Sequence, residues 1–171
     1  MKRIALICMI VNAMFAYSQD IIHTHRGDTI NCKVLEVGEK TIKFHYEGED
    51  MVNSMTRNLV SIIKFGSGRE EVISEKIIVR SEFDWEKVII TNVESDVAGL
   101  KRVDEIMAKA SSGWSTTNQG KMELKAMEKL KQQAAARGCH IVLILTTTGK
   151  AGHAGISGGT KASITGVAYM Y

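Results

Sequence analysis

Two hydrophobic rhythms run along this chain, and they change near residue 75. Between Asp20 and Ile73 the apolar positions alternate with polar ones. Ile30, Cys32 and Val34 are interleaved with Asn31, Lys33 and Leu35, and Ile42 and Phe44 with Lys43 and His45. Period-two alternation predicts antiparallel strands with one wet face. Breaks at "RGDT", "GEK" and "GSGR" predict turns. Four or five short strands over 19–74 then form a small β-rich, barrel-like module, a twisted sheet or partly open barrel. The charged stretch "SEKIIVRSEFDWEK" reads as the connection to a second unit covering 75–171.

In that unit "EKVIITN" reads as a strand, whereas "GLKRVDEIMAKA" fits either a strand or a helical face through Leu100, Val103, Ile106 and Met107. "NQGKMELKAMEKLKQQAAARG" is the clearest helix, with Leu124, Met127, Leu130 and Ala134 on or beside one stripe. Thr117 or Asn118 is placed to cap its start, and Gly138 to end it. If Val103 to Ala108 is a strand, it lies parallel to "HIVLIL" across a right-handed crossover. The apolar run Ile141 to Leu145 fits a central strand, and "ITGVAYMY" pairs with it antiparallel. The expected class is α+β: a small antiparallel β module followed by a β-β-α-β-β two-layer domain with one long helix.

Composition adds an address. Residues 1–18, "MKRIALICMIVNAMFAYS", have a basic start, an apolar run of about a dozen residues and small residues at Ala16 and Ser18. This is the pattern of a signal peptide cleaved near Ser18, so the protein is expected to be exported, to the periplasm or the cell surface. The run is shorter than the roughly 20 apolar residues a permanent span needs, and no other stretch suggests a transmembrane span. Formal net charge is +3, of which Lys2 and Arg3 contribute two, so no concentrated basic footprint points to nucleic acid. Proline is absent, which leaves the turns to Gly, Asn, Asp and Ser.

Candidate chemistry is sparse. His23 and His25 face the same way on a strand. If Gly27-Asp28 is a two-residue turn, His25 opposes Ile30 and His23 opposes Cys32. That register would gather His23, His25 and Cys32 as a metal site, with a metal ion as the only cofactor considered. The competing reading is a hairpin end with polar residues beside a buried thiol. Arg26-Gly27-Asp28 spells an integrin-type tripeptide, but Gly-Asp is also what a tight turn requires. Cys32 and Cys139 sit inside apolar patterns, which favours buried thiols over a disulfide. Cys139 and His140 are adjacent, so on a strand they point to opposite faces and form no dyad. No nucleophile elbow is present, and the protein is not expected to be an enzyme.

"TTTGKAGHAGISGGTKAS" follows the helix and precedes a strand, which is the wrong order for a phosphate cradle. It reads as a long hairpin loop and an adaptable contact surface, with His153 as a candidate partner contact. Trp114, in the polar loop before the helix, is either core over the helix start or a second partner contact.

The second half resembles a bacterial envelope group. "LKRVDEIMAKASSGW", the helix end "KLKQQAAARGCHIVLIL" and the strand "ITGVAYMY" are similar to the YbjQ-like domains, labelled heavy-metal-binding, and to the folded domain of the Rcs-pathway stress-sensing lipoprotein. The first half, through "GDTINCKVLEVGEKTIKFHYEGE" and "MVNSMTRNLVSIIKF", resembles a strand-rich module of exported Bacteroidetes proteins. The disulfides of the sensor domain have no counterpart, because "ASSGWSTTNQG" and "TTTGKAGHAG" lack cysteine. The resemblance implies an envelope protein that binds or assembles with an envelope protein partner rather than performing chemistry. A metal-binding envelope protein and an unrecognised hydrolase are the alternatives.

Overall fold

A computed structural model describes residues 19–112, 118–151 and 159–171. The chain is α+β, as the two rhythms imply. Strands β1 (Asp20–Thr24), β2 (Thr29–Val37), β3 (Thr41–Tyr46), β4 (Asn53–Thr56), β5 (Val60–Lys64) and β6 (Glu70–Val72) form the first sheet. Its order is β4-β3-β2-β1-β5-β6, with every neighbouring pair antiparallel. The sheet stays open, with β4 and β6 as its edges, and does not close into a barrel. These two strands, four and three residues long, are too short for alternation to be read from sequence. Ile22, Cys32, Ile42, Phe44, Val60 and Ile63 make the core of this sheet, each no more than 2% exposed.

The second sheet comprises β7 (Ile89–Thr91), β8 (Lys101–Ser111), β9 (Ile141–Lys150) and β10 (Lys161–Met170), in the order β7-β9-β10-β8. The ambiguous segment is a strand, β8, with Ile106, Ala108 and Ala110 buried in alternation. Both β8 and β9 pair antiparallel with β10, so they run parallel to each other with β10 between them. Helix α1 (Gln119–Ala136) makes the crossover.

The buried stripe of α1 is Met122, Ala126, Leu130 and Ala134, with Met127 beside it, whereas Leu124 is 67% exposed. Four-residue spacing of small and large groups lets α1 settle on Ala108, Ala110, Ala162 and Ala168 of the sheet. Asn118 Oδ1 accepts from the Gly120 N–H at 2.9 Å, capping the start. At the other end Gly138 takes φ +68°, its N–H donating to Ala135 O, while the Cys139 N–H donates to Ala134 O. That pair of bonds is a Schellman stop, and it turns the chain straight into β9.

The strands of the β9–β10 hairpin are longer than expected. Thr148 pairs with Ser163 and Lys150 with Lys161, so both ends of the glycine-rich stretch read as a loop, 146–150 and 161–163, are ladder. Threonines at 146, 147 and 148 suit an extended backbone. His153 and Trp114 lie outside the described residues.

The two sheets pack together through the segment Glu94–Val97. Asp96 is 8% exposed and accepts from Thr91 Oγ1 at 2.7 Å, with Lys40 Nζ at 3.4 Å. Asn58 Nδ2 donates to Asp96 O at 3.1 Å, and the Thr56 N–H donates to Ala98 O at 2.9 Å.

Truncating the two helix leucines separates the observed stripe from the expected one. Leu130→Ala should cost about 2–5 kcal/mol, as a fully buried leucine does. Leu124→Ala should stay within about 0.5 kcal/mol, as surface changes do. Urea unfolding followed by circular dichroism measures both.

Candidate functional site

The residues expected to hold a metal are not brought together. The turn between β1 and β2 is longer than Gly27-Asp28. The Thr24 N–H donates to Asp28 O at 3.0 Å, and the Asp28 N–H donates to Thr24 Oγ1 at 3.1 Å. Register therefore slips by three residues: Cys32 faces Asp20, and His23 faces Thr29. An odd slip exchanges faces, so Cys32 points into the core while His23 lies on the opposite face beside the Thr29 hydroxyl, 3.2 Å away. His25 belongs to the turn. No group of three His, Cys, Asp or Glu is placed to hold a metal ion among the described residues. The Arg-Gly-Asp stretch is part of the same turn: Gly27 has φ +103°, and Arg26 Nη2 donates to Gly99 O at 3.1 Å.

His25 instead lies at the junction of the two sheets. Its Nε2 is 2.9 Å from Ser74 Oγ, and that hydroxyl donates to Val60 O at 2.8 Å. The single hydroxyl proton is thus committed, so the His25 Nε2–H donates. The Tyr171 ring lies between the two histidines, stacked on His140 with centroids 4.4 Å apart and tilted against His25 at 5.1 Å. Its Oη accepts from the Ile77 N–H at 3.1 Å. Burial, reinforced by the Lys76 charge, holds both histidines below their ordinary pKa. Cys32 and Cys139 are buried free thiols in separate cores. Desolvation pushes Cys32 up to about 11 and Cys139 upward as well.

The surface with binding character is the far half of the second sheet. Ile141 and Leu143 are covered by Val97 on the face away from α1, and Val142 is covered by α1 on the other. Beyond a register shift at Thr165/Gly166, Thr146 to Lys150 are left exposed by the described residues. There the cross-strand rows on the uncovered face read Lys150–Lys161–Ser111 and Thr148–Ser163–Lys109. Lys129 reaches over the edge from α1, its Nζ donating to Lys109 O at 3.2 Å. Together these residues line an open depression of about 490 Å³ that contains no carboxylate.

Lys150 and Lys161 stand directly opposite each other, with Cβ atoms about 5 Å apart, an arrangement that repels. None of Lys109, Lys129, Lys150 and Lys161 forms an ion pair among the described residues. The sequence carries a signal of this face that is not a motif. Glu128 is the last acidic residue, and Lys129, Lys131, Arg137, Lys150 and Lys161 all follow it. The strand edge beside this face is closed. Lys129 Nζ and Gln133 Nε2 donate to the β8 carbonyls of Lys109 and Met107 at 3.2 Å each, and Arg137 Nε lies 3.4 Å from Asp104. An added strand would find these β8 acceptors taken.

Two outcomes test the buried groups. Because the folded-state histidine pKa values lie below the ordinary 6.5, the unfolded chain takes up protons first as pH falls. Stability is full above about pH 6.5 and declines below it until the folded histidines also protonate. Thermal melts across that window should fall with acidification, and His140→Gln should flatten the slope. The two thiols should react with a thiol reagent at about pH 8 only after denaturation; rapid native labelling would contradict their burial.

Comparison with family models, with curated proteins and with solved structures finds no match to this chain.

Proposed function

We propose that the chain is an exported envelope protein that acts as a non-catalytic binding module, and that it binds through the uncovered half of its second sheet. The observation that carries this reading is the uncompensated cationic face of Lys109, Lys150 and Lys161, flanked by hydroxyls and walled by Lys129. A folded sheet gains nothing from opposing two lysines, so the cost of that pairing is more readily understood if a ligand neutralises it. Export rests on the basic and apolar start of the chain, and on its resemblance to envelope domains. Among the described residues no helix is long and apolar enough to cross a membrane.

The junction argues against hydrolysis. Ser74 and His25 are in contact, but the hydroxyl proton points to Val60 O rather than to the imidazole. The arrangement is the reverse of an activated nucleophile. Partner recognition by strand addition at β8 is disfavoured by the side chains that occupy its carbonyls.

Immobilised wild-type protein and the charge reversal Lys109→Glu/Lys150→Glu/Lys161→Glu, each checked for folding, should be compared on envelope extracts. Material held by the wild type and released by the variant is the expected result. Identical captures, or none across several growth conditions, would remove the reading.

A further inference from the structure

We propose that the depression on the second sheet is a site for a phosphate-bearing ligand of about sugar-phosphate size; this rests on the binding reading above. All four charges, Lys109, Lys129, Lys150 and Lys161, are ammonium groups, and no guanidinium lines the site. Ammonium groups act as point charges, so several can converge from different directions on a tetrahedral anion, as a lysine does in a phosphate-binding loop. Three hydroxyls, Ser111, Thr148 and Ser163, stand in the same two rows; Thr148 donates to Ser163 O at 3.4 Å, which leaves Ser111 and Ser163 as the neutral donors between the charges. Lys129 spends one N–H on Lys109 O, which fixes its ammonium at the rim and leaves further donors for a ligand.

Size and lining narrow the class. At about 490 Å³ the depression falls in the range of small-ligand sites. Among the described residues its lining holds no aromatic side chain for stacking bases, and its four lysines fall short of the phosphate contacts that hold a nucleic acid. With no carboxylate in the lining, one phosphomonoester or a diphosphate would be balanced by the cations that now repel across the β9–β10 ladder. The same chemistry is offered by a soluble sugar phosphate and by a phosphorylated lipid headgroup.

Both sources are tested on the full chain, with glucose 1-phosphate and inorganic pyrophosphate as soluble probes and glucuronate as the carboxylate control. Phosphatidylcholine vesicles with and without phosphatidic acid supply the lipid arm. The expected result is saturable binding with amide shifts confined to 109–111, 148–150 and 161–163. It should weaken at least about tenfold in Lys150→Gln/Lys161→Gln and fade with added salt. That variant should melt no lower than the wild type, because it relieves a repulsion, so loss of binding is separable from loss of fold. Binding to soluble probes alone identifies a soluble ligand, and binding to acidic vesicles alone a headgroup; either supports the proposal. No saturation by any phosphate probe, shifts elsewhere, undiminished binding in the variant, or equal binding of glucuronate would overturn it. If phosphate fails while envelope material is still captured and lost on charge reversal, the ligand class is wrong and the binding reading stands. If capture fails as well, both fall.

Discussion

The second sheet depends on one close approach. At Gly166 a Cβ would lie 2.8 Å from Leu143 O and 2.8 Å from Val142 Cγ1, so only a hydrogen fits there. This absence of a side chain lets β10 hug β9 where the ladder shifts by one residue, between Thr165 and Gly166. Bulges bend a strand and raise its twist. Here the shift marks where burial changes: Ile141, Val142 and Leu143 before it are covered on both faces, whereas Thr146 to Lys150 are exposed. One glycine thus sits between the part of the sheet that builds the fold and the part we propose as a binding face.

The covered half is held by polar bonds as much as by apolar contact. Asp96 joins Thr91 of its own unit to Lys40 and Asn58 of the first sheet. The Lys40 charge is half exposed, so its ion pair contributes only about 0–1 kcal/mol. The bonds that matter are those from the Thr91 hydroxyl and the Asn58 amide, because leaving such groups buried without partners costs about 1–3 kcal/mol. Tyr171 completes the seam by placing its ring between His25 and His140 and its hydroxyl on the Ile77 N–H. The units are therefore fastened at one end of the second sheet, away from the lysine rows.

Much of this architecture could be read from residue order, and the failures have physical causes. Alternation located β2 and β3 because one face is wet, and Asn118 and Gly138 bounded α1 because caps are chemically distinctive. The metal register failed because Thr24, not the glycine, closes the β1–β2 turn through its own hydroxyl. The helix stripe was misjudged at Leu124, since a close-packed seam selects alanines that a hydrophobicity pattern undervalues. The lysine site was illegible by motif: Lys109, Lys150 and Lys161 are distant in sequence and meet only through two antiparallel ladders. Their missing counter-charges were legible, in the stretch without acids after Glu128.

Edge protection and the proposed binding face converge on one side chain. A long edge strand such as β8 invites pairing with another chain unless its backbone is occupied. Lys129, Gln133 and Arg137 recur every four residues along α1, so one face of the helix runs beside that edge. A neutral residue at 129 could also have filled the carbonyl of Lys109, as Gln133 does for Met107. The charge at 129 is therefore surplus to edge protection. It is placed where three other lysines already crowd, which adds to their mutual repulsion. A cation put where the fold does not need it, beside cations it must repel, is best accounted for by an anion that arrives from outside.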